Sequence, residues 1–413
     1  HKMYLNNYQH QSNKETLTLV FLLIFSIIIR VPIILMFGDV GLENEWKILV
    51  ENMITHGKFS IINFNGYFLP NLYMPPLYPF YLYFFTIFNL ENQNYVQLVL
   101  WSQVFLSSIS VIIFYKINKF FFSYKLSFYS SLLFTLFPLH LYACSQISSI
   151  SLQSFFTLIF IYFFFKITKN KDILSIIIFS FISGLLILLR GEYIAIIIFS
   201  LLYLFTFFST SLKKILLIIL IVFITISPYL IRNVIIFESA TITKSVGYNL
   251  WKGNNSNSTV QGSELIDKDL QNQIEKISKD KFYRIKFDNI FFNKAIENIM
   301  GEPTKYLILF LKKFASFLFI DIASSNPIYY NPFHYLPVLL LGVTSLGGIT
   351  LSNKKSHKLN YLIFIFFINA IIFSSFFILP RYKLAILPFQ IIFTNILIDY
   401  ISKKFFSSSV LKN

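Results

Sequence analysis

The sequence predicts an all-α integral membrane protein of about ten transmembrane helices, with interfacial helices and a small extracytoplasmic cap. Three observations carry this. Hydrophobic residues make up 55% of the 413 positions and charged residues only 13%. Apolar runs of about 20 residues, the length that spans a hydrocarbon core, recur along the chain. The lysines fall in short tracts between those runs.

In chain order, the expected spans are 17–37, 95–115, 126–142, 150–167, 173–189, 193–209, 215–231, 334–352, 359–379 and 384–402. The first lacks a small-residue cleavage site, so it is expected as a retained span rather than a cleaved signal. Two further apolar pieces, 77–88 and 306–320, are short or carry lysines mid-run (Lys312, Lys313), which suits interfacial or re-entrant segments.

Charge bias tests this assignment. With the N-terminus inside, the cytoplasmic loops hold Lys116, Lys119 and Lys125; Lys166, Lys169 and Lys171; Lys213 and Lys214; Lys354, Lys355 and Lys358; and Lys403 and Lys404. Counting 77–88 as a further span would put the loops at 116–125, 166–172 and 211–214 outside.

Three regions follow. Residues 1–231 form an N-terminal transmembrane region containing a first extracytoplasmic loop, 38–76. Residues 232–305 form an extracytoplasmic loop or cap, and 306–413 an interfacial helix with the C-terminal spans. The cap contains a loop-like run, GNNSNSTVQG (253–262), then a lysine- and acid-rich helical stretch too polar for a sizeable core of its own.

The net charge of +16 invites a nucleic-acid partner, but its distribution favours anionic lipid headgroups, so membrane lipids rather than nucleic acid are expected. One cysteine, Cys144, excludes an internal disulfide and a cysteine metal cage. The six histidines are scattered. The sequence therefore requires no cofactor and leaves a divalent metal open. The bias toward Ile, Phe, Lys and Asn suggests a bacterial chain, hence the inner membrane.

Two groups of charged residues stand out. In 44–57, Trp46, Leu49, Val50, Met53 and Ile54 form one apolar stripe suited to a membrane surface, with Asn44 placed to cap the helix. Asp39, Glu43 and Glu45 lie at its start. From the helix alone they read first as a solvated face that complements the helix dipole, and second as a general base at the membrane's outer surface. The rigid prolines of MPPLYP (74–79) would fix the shape of the loop beside them.

Against 30 lysines there are five arginines. Arg190, Arg232 and Arg381 fall at outer ends of spans, where charge bias disfavours them, and Arg30 lies in the outer half of the first span. A guanidinium fork matches phosphate oxygens. Snorkelling or pairing, Arg190 with Glu192 for example, is the plainer reading of each. Three together favour a lipid-phosphate site, to which Lys312 and Lys313 could add charge.

These residues lie in segments that resemble the GT-C class of polytopic glycosyltransferases. The resemblance is to glycosyltransferase family 39 in particular, with its protein O-mannosyltransferase and lipid A aminoarabinose transferase relatives. ENEWKILVENMITHGKFS (43–60) is similar to the acidic first-loop motif and PNLYMPPLYPF (70–80) to the proline motif after it. GLLILLRGEY (184–193), SPYLIRNVIIF (227–237), GYNLWKGNN (247–255) and LPRYKLAILPF (379–389) match later signatures in family order.

The resemblance implies a GT-C-like fold and a polyprenyl-phosphate-linked sugar donor. It also implies a lipid, glycan or protein hydroxyl acceptor and transfer on the outer face with inversion. The family's loop acid falls on Glu43 or Glu45. Glu45 is favoured because it aligns with the acid opening the motif in the bacterial relatives; Glu43 is second and Asp39 third. The chain departs from the family at Leu42, where an Asp is frequent, and in CSQISSISLQ (144–153), which lacks a second acid.

The rival from another class is a non-catalytic flippase or transporter of lipid-linked glycans. It needs polar groups along a path through the spans and, often, duplicated halves. Here the charges cluster at outer edges and no internal repeat is evident.

Overall fold

A computed structural model of the chain describes residues 2–88, 94–170, 172–324, 331–352 and 355–410. Helix α1 runs Lys2–Phe37. The first polar segment follows with α2 (Asn44–His56), the strands β1 (Ser60–Phe64) and β2 (Tyr67–Pro70), and α3 (Leu77–Thr86). Next come α4 (Asn94–Asn118), α5 (Tyr124–Leu136), α6 (Pro138–Ala143), α7 (Ser149–Asn170), α8 (Ile173–Leu189), α9 (Tyr193–Phe207) and α10 (Leu212–Phe237). The second polar segment carries α11 (Val246–Gly253), α12 (Lys268–Glu275) and α13 (Tyr283–Gly301). Helices α14 (Pro303–Leu318), α15 (Pro332–Thr350) and α16 (His357–Ser375), a 3-10 helix (Pro380–Ala385) and α17 (Leu387–Val410) complete the described chain.

Among the described residues, six helical stretches are long and apolar enough to cross a membrane: Asn13–Phe37, Tyr95–Asn118, Ser149–Lys169, Leu212–Phe237, Pro332–Thr350 and His357–Ser375. The protein is an integral membrane protein. The expected spans 173–189 and 193–209 correspond to shorter apolar helices. The expected span 126–142 is not one helix, because Phe137 is extended (φ −65°, ψ 121°) ahead of Pro138. A residue before proline is pushed out of the α region by the ring, which separates α5 from α6. Likewise, 384–402 starts inside the 3-10 helix before α17 begins.

Apolar helices hold together here by hydroxyl and amide contacts as well as by packing. Ser180, Ser183 and Ser200 each donate to the carbonyl four residues earlier, which satisfies them inside a helix. Asn395 of α17 donates to Asn118 of α4 at 3.0 Å, and Tyr361 of α16 meets Ser200 of α9 at 2.8 Å. The Tyr361 ring stacks on Phe164 with centroids 3.7 Å apart, at the centre of a large aromatic core.

The two ends of the bundle differ. Lys14 and Lys119 lie over the Tyr124 ring and Lys358 over Phe120, so lysines from distant loops gather at one end. Both polar segments gather at the other. Asp39 N–H donates to the Ser145 carbonyl at 3.0 Å, Lys244 N–H to the Leu72 carbonyl at 2.6 Å, and the Asn254 amide to the Ser375 carbonyl at 2.9 Å. Among the lysines named for the expected cytoplasmic loops, Lys171 and Lys354 lie outside the described residues.

The first polar segment departs from expectation in three ways. It contains an antiparallel hairpin, β1 with β2, turned by Asn65 and Gly66, which both have positive φ (49° and 92°). That pair suits a tight hairpin because neither residue resists the left-handed region. Glu43, not Asn44, is the N-cap of α2, and its side chain makes no capping bond. Most of the α2 stripe packs on protein: Leu49, Val50 and Met53 are buried and Trp46 packs edge-on to Tyr78 of α3 at 4.9 Å, while Ile54 stays exposed. A helical stripe buries equally well against either kind of apolar surface, so its spacing alone does not choose.

Candidate functional site

A cleft of about 300 Å³ opens at the end of the bundle that carries the polar segments. Its walls come from α2, the hairpin, the loop 70–73, α11 and α13. Glu45, Tyr73, Tyr248, Arg284 and Phe287 supply the chemistry of its lining. Helix α2 delivers Glu45 because its buried stripe fixes the helix against α3. Tyr73 is held by Asn71, whose side-chain oxygen accepts the amides of Tyr73 and Met74, both at 3.1 Å. Tyr248 is set by Asp288, whose carboxylate accepts its amide at 3.0 Å.

Burial pushes the Tyr73 phenol up to about 12, opposed by the Arg284 charge and reinforced by Glu45 and Glu264. Burial lowers the Arg284 guanidinium from its ordinary value, with Tyr73 and Asp288 opposing the shift.

The three candidate acids separate. Glu45 lines the cleft. Glu43 is exposed at the helix start. Asp39 is half-buried, and its Oδ2 accepts the Ile147 amide at 2.6 Å, tying the first loop to the loop after α6. Burial raises the Asp39 carboxyl above the usual range, with that hydrogen bond opposing and Glu43 adding to the shift.

The cations separate too. The Arg190 and Arg381 guanidinium carbons lie 5.4 and 5.9 Å from the centre of the Tyr382 ring, so this ring brings two distant positions together. Arg190 also pairs with Glu192, the partner its sequence neighbourhood suggested. Arg381 is exposed. Arg232 donates to the Asn71 carbonyl at 3.1 Å and to Asn233 Oδ1 at 2.6 Å, bracing the loop that forms the cleft wall. The neighbours Lys312 and Lys313 diverge. Lys312 is exposed, whereas buried Lys313 donates to the Gly253 carbonyl at 2.7 Å and Asn254 Oδ1 at 3.1 Å.

Sequence reasoning did not single out Tyr73, Tyr248 or Arg284 as site residues. The two tyrosines sit in the PNLYMPPLYPF and GYNLWKGNN segments, which was the available signal. Among the described residues, no three His, Cys, Asp or Glu side chains converge on one point.

The architecture is a helical membrane bundle with two polar segments and a carboxylate-bearing cleft at one end, and its likeness to solved structures agrees with the fold that the sequence resemblance implied. Among solved structures it is similar to the oligosaccharyltransferase of Archaeoglobus fulgidus tethered with an acceptor peptide containing the NVT sequon. The TM-score is 0.56 at 14% identity, over 96% of this chain and 51% of that one. AglB from the same organism, in complex with an inhibitory peptide and a dolichol-phosphate, gives a TM-score of 0.53 at 14% identity, again over 96% and 51%. This chain thus spans about half the length of those proteins. ArnT from Cupriavidus metallidurans bound to undecaprenyl phosphate aligns over 93% of this chain and 78% of its own, at 11% identity; its TM-score of 0.45 is too low to carry an argument. No family model and no curated protein matches the sequence. At these identities the likeness establishes the fold alone.

Proposed function

We propose that this chain is a membrane glycosyltransferase that moves a sugar from a polyprenyl-phosphate-linked donor to a hydroxyl acceptor. Transfer takes place at the extracytoplasmic face, the end of the bundle that carries the cleft. The observation that carries this is the placement of Glu45. It is the one loop acid of the three that lines the cleft, and Arg190 and Arg381 each approach one ring, that of Tyr382. Of the two archaeal structures of like fold, one holds a dolichol-phosphate and the other a tethered acceptor peptide, which supports a lipid-phosphate donor and a separate acceptor.

In this reading Glu45 takes the proton of the acceptor hydroxyl as its oxygen attacks the anomeric carbon. The bond from that carbon to the phosphate oxygen breaks, and its electron pair leaves with the lipid phosphate. Arg190 and Arg381 stabilise the charge that develops there. Arg232 holds the loop 71–73 in place, Asp39 pins the first loop to the neighbouring one, and Lys313 fixes the end of α11. Inversion follows from a single displacement. The step as written needs no cofactor.

The test is to incubate the purified protein in lipid with a panel of polyprenyl-phosphate sugars and hydroxyl acceptors, and to follow lipid-phosphate release. Acceptor-dependent release with at least one donor is expected. Binding of the donors without release, together with their movement across a bilayer, would instead identify a carrier.

A further inference from the structure

Arg284 has the least satisfied guanidinium among the arginines that the protein encloses. Its Nε donates to the Lys244 carbonyl at 3.1 Å, and one terminal nitrogen is buried with no acceptor among the described residues. Arg30, by contrast, bonds to Ser26, Ser107 and His140, Arg190 to Glu192, and Arg232 to Asn71 and Asn233. Asp288, one turn along α13, attracts Arg284 but commits its Oδ1 to the Tyr248 amide. A buried donor without an acceptor is costly, and a ligand oxygen that fills the place removes that cost.

Arg284 lines the same cleft as Glu45. Its guanidinium carbon lies 3.9 Å from the Tyr73 ring centre, 4.7 Å from Phe287 and 6.0 Å from Tyr248, so stacking fixes the plane of the fork. Lys281, at the edge of the lining, is paired with Glu238 at 2.9 Å, so Arg284 is the cation left for an anion here. An anion placed here must stand away from the Glu45 carboxylate. A molecule with an anionic group on one carbon and a hydroxyl on another meets both demands: the hydroxyl turns to Glu45 and the anion to Arg284.

We infer that Arg284 recognises a carboxylate or phosphate on the acceptor, so that the acceptor is an acidic hydroxyl compound such as a sugar acid or a phosphorylated sugar. The inference rests on the glycosyl-transfer reading for the word acceptor. Arg284 stands over Tyr73 and Phe287, whereas Arg190 and Arg381, the residues assigned to the lipid phosphate, stand over Tyr382.

The experiment measures binding to the full chain in lipid nanodiscs, without donor, of methyl glucuronide, methyl glucoside 6-phosphate and uncharged methyl glucoside. At least one charged ligand should bind about ten- to a hundredfold more tightly than the neutral one, the range for hydrogen bonds to a charged group. The tighter of the two identifies the group as carboxylate or phosphate. Arg284→Met keeps the stem against Tyr73 and should bring all three ligands together, while Arg284→Lys should retain part of the preference. Polyprenyl-phosphate binding by the same samples reports folding, and Arg381→Ala should weaken that binding while leaving the preference for charged sugars intact. Equal binding of the three ligands by the unaltered protein, or an unchanged preference in folded Arg284→Met, overturns the inference. Because no donor is present, either result is independent of whether lipid phosphate is released.

Discussion

At the scale of single residues, charge and exposure divide the work. Arg381 is exposed over the Tyr382 ring, so replacing it removes little packing. Arg381→Lys keeps the charge but loses the planar fork. It should raise the donor KM about tenfold or more while thermal stability stays within about 0.5 kcal/mol. Donor KM measured beside a melting curve checks this; an unchanged KM for Arg381→Ala as well would make Arg381 a surface residue. The sequence already pointed to Arg381, Arg190 and Glu45, because an arginine at a disfavoured end and an acid in a family-like loop are local signals. It could not show that Arg232 braces Asn71 or that Lys313 is spent on Gly253, since both depend on contacts across large sequence separations.

At the scale of elements, the site depends on short helices wedged against the ends of the bundle. Gly253 closes α11 where a side chain would meet the Phe376 carbonyl oxygen at 1.9 Å. Gly253→Ala must therefore push α11 away from the end of α16, and Tyr248 moves with it. A loss of about 1–3 kcal/mol is expected from this overpacking, with a fall in turnover. Thermal unfolding in detergent would show it, and an unchanged midpoint would contradict the close approach. Periodicity revealed α2 and most of the long helices. It did not reveal that α2 packs on α3, because the stripe has the same spacing against lipid or protein. The hairpin was not expected, although Asn65-Gly66 between two apolar stretches is the kind of pair that turns one. The expected span 126–142 ran through Pro138, where the break between α5 and α6 falls, because apolar run length outweighed the proline.

At the scale of the whole molecule, Lys14, Lys119 and Lys358 come together at one end of the bundle and the two polar segments at the other, and the loop charges lead to the expectation that the polar end faces out. Cysteines introduced at Tyr67 and Ser256, both exposed, should be labelled together by an impermeant thiol reagent in intact cells. Native Cys144 is 1% exposed and should stay silent. Labelling of the two introduced positions only after lysis would put the cleft on the cytoplasmic side and remove the outer-face mechanism. The most direct test of the account is lipid-phosphate release under single-turnover conditions by the protein and by Glu45→Gln, each shown to bind polyprenyl phosphate. Loss of the base should slow release by about 10² to 10⁴ while binding persists. Release by Glu45→Gln within about threefold of the unaltered rate, far short of what losing a general base costs, would contradict it.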